Sequence, residues 1–308
     1  MTSVAEPALS ILVATRDRAP LLVQLLRSLE VAQSVAATAC EILIADNGST
    51  DDTAAVLERW VAGAPGHMRL RVDTPGKSRA LNAALQHARA PVLAFLDDDE
   101  QVAPAWMQEL MAFCSAHPEY DAAIGRVLPP PDLTDPEVLS RLAAYRTVAF
   151  CDYGDAVCEA ETLYGGNMVL RRQVFERIGT FDERLGPGAA GGCEDTDLAE
   201  RIRQAGLRIG YMPRVIVYHV VDPARLTPEA FRSLQLRAAR SRIAMDARRA
   251  GRRALPRLIE AALGFAWWSL LGRSVRRERA RGRILLHAET LRLRWRLREH
   301  QRLDGPKH

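Results

Sequence analysis

Several patterns that mark large protein classes are absent from this sequence of 308 residues. The start, "MTSVAEPALS", has no basic segment followed by an apolar run, so we expect no secretory signal and a cytoplasmic protein. The five cysteines are scattered and form no zinc pattern, which predicts reduced thiols in a cytosolic protein. Neither G-x-x-x-x-G-K-S/T nor G-x-G-x-x-G follows the first predicted strand, which argues against a glycine-rich phosphate loop.

The charge is distributed unevenly along the chain. Residues 1–222 carry 20 Lys and Arg residues against 31 Asp and Glu residues, a net charge of −11. Residues 223–308 carry 22 against 7, a net charge of +15. Hydrophobic residues make up 48% of the chain, which is enough to bury an ordinary core. This pattern predicts an acidic globular body and a basic tail that meets an anionic partner.

Hydrophobic periodicity predicts an α/β fold. Apolar runs that end in polar residues alternate with helical patterns through residue 116, which is typical of a parallel sheet covered by helices. After residue 117 the alternation loosens, and "LRIGYMPRVIVYHVVD" indicates two short strands. The C-terminal part is rich in arginine and helical in pattern. We predict one domain over residues 1–222, in two halves that meet near residue 116, and a basic helical region over 223–308.

Polar clusters follow three of the predicted strands. These clusters are Thr15-Arg16-Asp17, Asp46-Asn47-Gly48-Ser49 and Asp97-Asp98-Asp99. Ligands of open α/β sheets bind outside the carboxyl ends of the strands. We therefore expect the three clusters to converge on one cleft.

The four adjacent acids at residues 97–100 suggest a metal site. Neighbouring carboxylates repel one another unless water or a cation neutralises them. Oxygen ligands suit Mg²⁺ or Mn²⁺, and no nearby His and Cys set suits zinc. Such a metal usually also binds substrate phosphates, toward which Lys77 and Arg79 would add positive charge. A solvated acidic turn is the alternative interpretation.

Four stretches between residues 9 and 220 share a further pattern: "SILVATRDR", "ILIADNGSTDDT", "GKSRALNAALQHARAPVLAFLDDDEQV" and "GGCEDTDLAERIRQAGLRIGYMPRVIVYH". In this order, they resemble the family 2 glycosyltransferases of the GT-A fold. The resemblance implies a Rossmann-like mixed sheet flanked by helices, with a nucleotide-sugar-binding half over 1–116 and an acceptor half over 117–222. It also implies a UDP-, GDP- or dTDP-sugar donor, Mn²⁺ or Mg²⁺, and transfer with inversion at the anomeric carbon.

The same resemblance implies roles for the acid run. Asp97 and Asp99 would form the DxD motif, with Asp99 on the metal and Asp97 near the ribose or the metal. Asp98 would be the variable middle position of this donor site. His219, at the end of the last strand, would be a further metal ligand. Read without the family, a lone His at a strand end is usually a polar surface residue.

The nucleotide base would lie near the first two strand ends. Asp46 matches the family position that binds the base, and Thr15 and Asp17 would line the same pocket. Asp17 replaces the asparagine that the family usually has there, and Asn47 replaces its usual second aspartate. Both departures leave the identity of the base open.

The stretch "CEDTD" would supply the catalytic groups. The resemblance implies that Asp195 is the general base and that Glu194 orients it or contacts the acceptor. Read without the family, both acids also suit the first turn of a helix. Gly165, Gly166 and Asn167 resemble the family's stretch beneath the acceptor site, with a tight turn as the alternative.

The basic tail joins an apolar run to an arginine cluster. The apolar stretch from Leu258 to Leu271 contains Glu260 and is too short for a membrane span. Trp267 and Trp268 beside arginines suit a helix in a membrane interface, so we expect residues 254–283 to meet an anionic membrane surface. That would place the protein at the inner face of the cell membrane. Packing on the main domain and a homodimer contact are alternatives, and we expect no nucleic-acid partner.

The sequence predicts a metal-dependent inverting glycosyltransferase. Its acceptor would be a glycan or a lipid-linked molecule in polysaccharide, lipid-linked glycan or glycoconjugate synthesis, and residues 129–165 would set that choice. A nucleotidyltransferase of similar fold is one alternative, but it would usually show a basic glycine-rich loop near the N-terminus. A non-catalytic carbohydrate- or lipid-binding protein is another, against which the intact Asp97, Asp99 and Asp195 argue.

Overall fold

The computed structural model describes residues 6–63, 66–145, 147–148 and 150–303. One mixed sheet contains the strands β1 Leu9–Thr15, β2 Cys40–Asp46, β3 Met68–Arg71, β4 Val92–Asp97, β5 Glu100–Val102, β6 Ala122–Leu128, β7 Cys158–Glu159, β8 Asn167–Arg171 and β9 Ile209–His219. The helices that follow and flank them are α1 Ala19–Val35, α2 Thr53–Ala62, α3 Lys77–His87, α4 Trp106–Ala116, α5 Pro136–Tyr145, α6 Arg172–Ile178, α7 Glu194–Gln204, α8 Pro228–Leu270 and α9 Ser274–Leu303. The predicted α/β fold with helical flanks is confirmed.

The sheet is parallel in its first half and mixed in its second. Its strand order is β3-β2-β1-β4-β8-β6-β9-β5, with β7 paired to β9. Strands β1 to β4 run parallel, as the alternation of strands and helices predicts. β8 then runs antiparallel between β4 and β6. β1 is almost wholly buried apolar residues, because helices or loops cover both faces of the sheet there.

The last strand differs from its prediction. The sequence indicates two short strands near Pro213, but β9 is one strand of 11 residues. Its pairing with β6 skips from Met212 to Ile216, opposite Gly125 and Arg126. Pro213 therefore lies in a bulge, where its missing N–H costs no ladder hydrogen bond. The short strand β5, which the sequence did not indicate, pairs with the end of β9.

The C-terminal helices lie partly against the rest of the chain. Helix α8 has non-helical backbone angles at Asp246 (φ −158°, ψ 95°), which divide it into two segments. In the first segment, the Ser241 hydroxyl donates to the Ala190 carbonyl at 3.2 Å, so this part packs on the loop before α7. No helix in the described part of the chain is long and apolar enough to cross a membrane.

Candidate active site

A cleft of about 470 Å³ lies at the carboxyl ends of β1, β2 and β4. Because β1 pairs with both neighbours, Thr15 lies opposite Asp46, and Ala14 lies opposite Asp97. Three polar strand ends therefore meet at one edge of the sheet. The loop before α7 and the first turn of that helix form the facing wall.

Asp99 lies buried on the floor of the cleft and is neutralised by two arginines. Its Oδ2 accepts hydrogen bonds from Arg18 Nη1 at 2.6 Å and from Arg225 Nη1 at 3.0 Å. Arg18 also donates to Asp98 Oδ1 at 3.3 Å. Burial raises the pKa of Asp98 to about 6, although Arg18 opposes that shift. The predicted repulsion within the acid run is thus met by basic side chains.

The sequence analysis did not identify either arginine as a partner of the acid run. Arg18 belongs to the stretch "SILVATRDR", but the sequence does not show that it turns toward the acids. Arg225 lies 126 residues from Asp99 along the chain, in the short 3₁₀-helix Pro223–Arg225. The available signal was indirect, since adjacent buried carboxylates require cations from somewhere in the fold.

Lys77 connects the two walls of the cleft. Its ammonium group donates to Asp97 Oδ1 at the end of β4 and lies 3.3 Å from Glu194 Oε1 in the first turn of α7. Burial opposes the charge on Lys77, but Asp97 and Glu194 raise its pKa well above the usual range. Lys77 is therefore a fixed positive charge between the donor half and the predicted catalytic stretch.

Glu100 is a fully buried acid beneath this site. Its Oε2 accepts a hydrogen bond from the Asp97 amide at 3.2 Å, whereas Oε1 has no hydrogen-bond partner among the described residues. Burial, with Asp97 and Asp99 nearby, raises its pKa well above the usual range. Gly166 packs directly on this carboxyl group, because a Cβ there would lie 2.1 Å from Oε1. Burial therefore favours the neutral form of the Glu100 carboxyl group.

Asp195 and Glu194 begin α7 at the edge of the cleft. The residue before them, Cys193, has a left-handed backbone (φ 69°), which turns the chain sharply into the helix. Asp195 Oδ2 accepts a hydrogen bond from the Gly165 amide at 3.3 Å. Burial and the neighbouring Glu194 raise the pKa of Asp195 to about 6, against the effect of Lys77. A carboxylate with this pKa is mostly ionised at pH 7 and basic enough to accept a proton.

The residues predicted to bind the base surround the ends of β1 and β2. Thr15 and Asn47 line the cleft, whereas Asp46 is fully buried and accepts a hydrogen bond from the Ser49 amide at 2.9 Å. Asn47 Nδ2 donates to the Val72 and Thr74 carbonyls. An aspartate could not donate these bonds, which explains the departure from the family pattern at this position.

Asp17 supports the neighbouring loop. Its backbone is left-handed (φ 52°), a conformation that asparagine and aspartate tolerate better than most residues. Its Oδ1 accepts a hydrogen bond from the Thr50 amide at 2.7 Å. Asp17 therefore holds the loop after β2 against the loop after β1.

Five of the predicted site residues do not line the cleft: Asp17, Asp46, Arg79, Gly166 and Asn167. Arg79 is half-exposed and lies 3.5 Å from Glu183. Gly166 covers Glu100, and the buried Asn167 accepts a hydrogen bond from Trp106 Nε1 at 3.0 Å. Gly165, by contrast, lies in the cleft wall beside Asp195. The structure thus places the second and third residues of this stretch below the cleft surface, and their role toward an acceptor stays a prediction.

The residues at Asp99 fit a divalent cation. Within the described ranges, no group of three or more His, Cys, Asp and Glu side chains is placed to hold a metal ion. His219 is nevertheless oriented as a ligand, because its Nδ1 lies 3.0 Å from the Val220 carbonyl and therefore carries the proton. Its Nε2 lies 3.9 Å from Asp99 Oδ1. A carboxylate and an imidazole that face each other suit a cation such as Mn²⁺ between them.

Comparison with known sequences identifies glycosyltransferase profiles and relatives. A sequence profile described as "Glycosyl transferase family 2" matches residues 10–179, and one described as "N-terminal domain of galactosyltransferase" matches residues 146–222. The chain is 30% identical to the succinoglycan biosynthesis protein ExoM of Rhizobium meliloti over 226 residues, which cover 71% of this chain and 70% of ExoM. It is 29% identical to the O-antigen biosynthesis protein RfbC of Myxococcus xanthus over 217 residues, 66% of this chain but only 16% of RfbC.

Solved structures share the fold. A mannosyltransferase from Pyrobaculum calidifontis, PcManGT, in complex with GDP-Man and Mn²⁺, superposes with a TM-score of 0.61 and 20% identity, over 93% of this chain and 85% of that one. TarS of S. aureus superposes with a TM-score of 0.54 and 18% identity, over 75% of this chain and 39% of that one. The mixed sheet and its helices therefore have the GT-A architecture.

The contrast between Lys77 and Arg79 gives a stability prediction. Lys77→Met should lower the free energy of unfolding by about 3–5 kcal/mol, because it leaves Asp97 and Glu194 buried without their cation. Arg79→Met, which removes an exposed pair, should change it by less than about 1 kcal/mol. Urea unfolding at pH 7, followed by circular dichroism, measures both. Equal stabilities for the two variants would show that Lys77 does not hold the walls together.

Proposed function

Because the chain belongs to glycosyl transferase family 2, we propose that it is a metal-dependent inverting glycosyltransferase of polysaccharide or glycan biosynthesis. It would move a sugar from a nucleotide-sugar donor to an acceptor hydroxyl. The observation that carries this proposal is a single cleft in which Lys77 connects Asp97 of the acid run to Glu194, the neighbour of Asp195. Donor-binding charge and a proton acceptor thereby face the same space.

The donor half supplies the groups that a diphosphate requires. Lys77, Arg18 and Arg225 surround the carboxylates at the strand ends, so positive charge lines the place where the leaving group would develop negative charge. Asp97, Asp99 and His219 would hold Mn²⁺ or Mg²⁺. The cation, when bound, would supply further charge stabilisation for the departing nucleoside diphosphate. The carboxylate and imidazole pair favours Mn²⁺ of the two.

The acceptor half supplies the general base that takes the proton of the acceptor hydroxyl. The acceptor hydroxyl would lose its proton to Asp195 as its oxygen attacks the anomeric carbon, while the bond from that carbon to the donor phosphate oxygen breaks on the opposite side. Attack opposite the leaving group inverts the configuration. The Gly165 amide and the first turn of α7 hold the Asp195 carboxylate in place for this step. Glu194 is held by Lys77 and would position its neighbour.

The donor is a nucleoside diphosphate sugar of a kind still to be identified. PcManGT binds GDP-Man, and a TarS structure contains UDP-GlcNAc, so relatives of this fold differ in both base and sugar. Hydrolysis of a panel of UDP-, GDP- and dTDP-sugars with Mn²⁺ would identify it. Release of a nucleoside diphosphate supports a glycosyltransferase. Release of pyrophosphate from a nucleoside triphosphate and a sugar phosphate would favour the nucleotidyltransferase alternative, and binding without turnover would favour a binding protein.

The second segment of α8 presents an apolar stripe to solvent, and we propose that it lies on an anionic membrane surface. The stripe residues recur mainly at intervals of four, and each is at least 50% exposed: Leu255, Ile259, Leu263, Trp267, Leu270 and Leu271. Basic residues flank the stripe at both ends: Arg252, Arg253, Arg273, Arg276 and Arg277. An exposed apolar stripe beside clustered arginines has the chemistry of an interfacial helix on anionic lipid.

Asp99→Ala tests the metal site. In calorimetric titrations with Mn²⁺, the affinity for the donor's nucleoside diphosphate should fall more than about tenfold, because one charge-assisted contact is worth about 1.5–3 kcal/mol. Without Mn²⁺ the affinity should stay equal or rise, since Arg18 and Arg225 lose their carboxylate partner. Asp73→Ala, at an exposed aspartate, is the control. An unchanged Mn²⁺ dependence in Asp99→Ala would contradict the assignment.

Asp195→Asn tests the base. Turnover should fall about 10²- to 10⁴-fold, with donor affinity near wild type, because the amide cannot accept the proton. In the wild type, kcat/KM should fall as the pH drops below about 6, where the Asp195 carboxylate becomes protonated, and stay level above it. Asp195→Asn should lose this acid limb, whereas Glu194→Gln should keep it with a smaller loss of rate. Normal turnover in Asp195→Asn would place the base elsewhere.

A double substitution tests the stripe. Leu263→Glu with Trp267→Glu should weaken binding to vesicles of phosphatidylglycerol and phosphatidylcholine at least tenfold, since burial of each large apolar side chain is worth about 1.5–3 kcal/mol. Val31→Glu, at an exposed apolar residue on α1, should bind like wild type. Vesicle co-sedimentation at low and high salt measures this. Wild-type protein that stays in the supernatant at low salt would refute the membrane proposal.

A further inference from the structure

A second cavity lies beside the cleft, between α7 and the two C-terminal helices. Its volume is also about 470 Å³, within the range of small-molecule sites. Thr196 of α7, Arg242 of α8 and His287 of α9 all face it. Cys193 lines both this cavity and the cleft, so the two spaces adjoin at the residue that precedes Glu194 and Asp195.

Part of the positive charge at the cavity has no ion-pair partner among the described residues. Among these residues, no carboxylate forms an ion pair with Arg242, Arg253 or Arg257, all of which line it. The acids of the lining are already engaged. Asp197 pairs with Arg201 at 2.8 Å, and Glu200 and Asp246 have interactions of their own.

The cationic groups are also crowded together. Burial lowers the pKa of Arg242, and the nearby Arg257 lowers it further. His287, only 5% exposed, has its pKa lowered to about 4 by burial and by Arg242, Arg257 and Arg283, so it is neutral at pH 7. A neutral imidazole beside like-charged guanidinium groups makes a site in which an anion would relieve repulsion.

We propose that this cavity binds a phosphate group of the acceptor. The inference rests on the proposed function, in which the acceptor hydroxyl must reach Asp195 while the donor fills the cleft. An acceptor anchored by its phosphate in the second cavity would approach Asp195 past Cys193 and Thr196, from the side opposite the donor. Guanidinium groups bind phosphate oxygens with paired hydrogen bonds, which explains three arginines at this place.

The position of the cavity points to a lipid phosphate. Arg257 lies between Leu255 and Ile259 along α8, and Arg253 lies one turn earlier, so the arginines of the cavity and the apolar stripe belong to one helical segment. Because Arg257 lies two residues from both Leu255 and Ile259, it lies across the helix from the stripe, and a hydrocarbon chain attached to a phosphate in the cavity would pass around α8 to reach the stripe. A phosphate within a glycan carries no hydrocarbon chain that could contact the stripe.

Calorimetric titration of the full-length protein with inorganic phosphate and with octyl phosphate tests the proposal. Both probes should bind, and the double variant Arg242→Gln with Arg257→Gln should bind each about 10- to 100-fold more weakly. Arg240→Gln, on the exposed side of the same helix, should bind like wild type. Tighter binding of octyl phosphate than of inorganic phosphate assigns the site to a lipid phosphate, and equal binding assigns it to a glycan phosphate.

Further variants separate this site from the donor cleft and from misfolding. Arg18→Gln, which alters the donor cleft, should leave phosphate affinity unchanged. Arg257→Gln alone, at an exposed position, should weaken phosphate binding and keep the wild-type unfolding midpoint. The proposal is overturned if wild-type protein binds neither probe, or if Arg18→Gln abolishes binding while the Arg242 and Arg257 variants retain it.

Sugar-nucleotide hydrolysis distinguishes failure of this inference from failure of the proposed function. The Arg242→Gln and Arg257→Gln double variant should hydrolyse the donor with Mn²⁺ at the wild-type rate, because water needs no acceptor site. If this double variant hydrolyses the donor but binds phosphate as the wild type does, only the inference of a phosphate site is wrong. If the wild-type protein hydrolyses no nucleotide sugar, the proposed function is contradicted, whatever the phosphate titration shows.

Discussion

The ammonium group of Lys77 is the interaction on which the geometry of the cleft depends. It contacts Asp97 at the end of β4 and Glu194 in the first turn of α7, two residues that lie almost one hundred positions apart in the chain. A buried cation between two carboxylates is stable only while both partners remain. This one side chain therefore joins the proposed donor side to the helix that carries the proposed general base, and a change at Lys77 should affect both.

The acid run and its counter-charges form one electrostatic unit. Asp98 and Asp99 are balanced from the N-terminal side by Arg18, and Asp99 also from the beginning of the basic region by Arg225. Leu234 of α8 lines the same cleft. The boundary predicted near residue 222 therefore runs through a wall of the cleft. The basic region thus contributes residues to this cleft. The second segment of α8, by contrast, exposes an apolar stripe to solvent.

The sequence predicted those parts of the site that depend on local pattern. Strand ends can be read from hydrophobic runs, and parallel neighbours bring their carboxyl ends to one edge, so Thr15, Asn47 and Asp97 were placed together correctly. Arg225 could not be predicted in this way, because its contact with Asp99 depends on the path of the chain after β9. Asn167 looked like part of a turn near the acceptor, but its hydrogen bond to Trp106 depends on a distant helix. The sequence pattern indicates a strand break at Pro213. Local propensity cannot show that pairing with β6 resumes after the bulge and keeps β9 one strand.

A crystal structure with the donor's nucleoside diphosphate and Mn²⁺ is the most direct test of the central claim, that the cleft binds a nucleotide sugar opposite Asp195. The account predicts a diphosphate beside Lys77 and Mn²⁺ on Asp99 and His219. The nucleotide base should lie near Thr15 and Asn47. It also predicts that the Asp195 carboxylate faces the side where the anomeric carbon would lie. A nucleotide bound in the second cavity, or a cation bound away from Asp99, would contradict it.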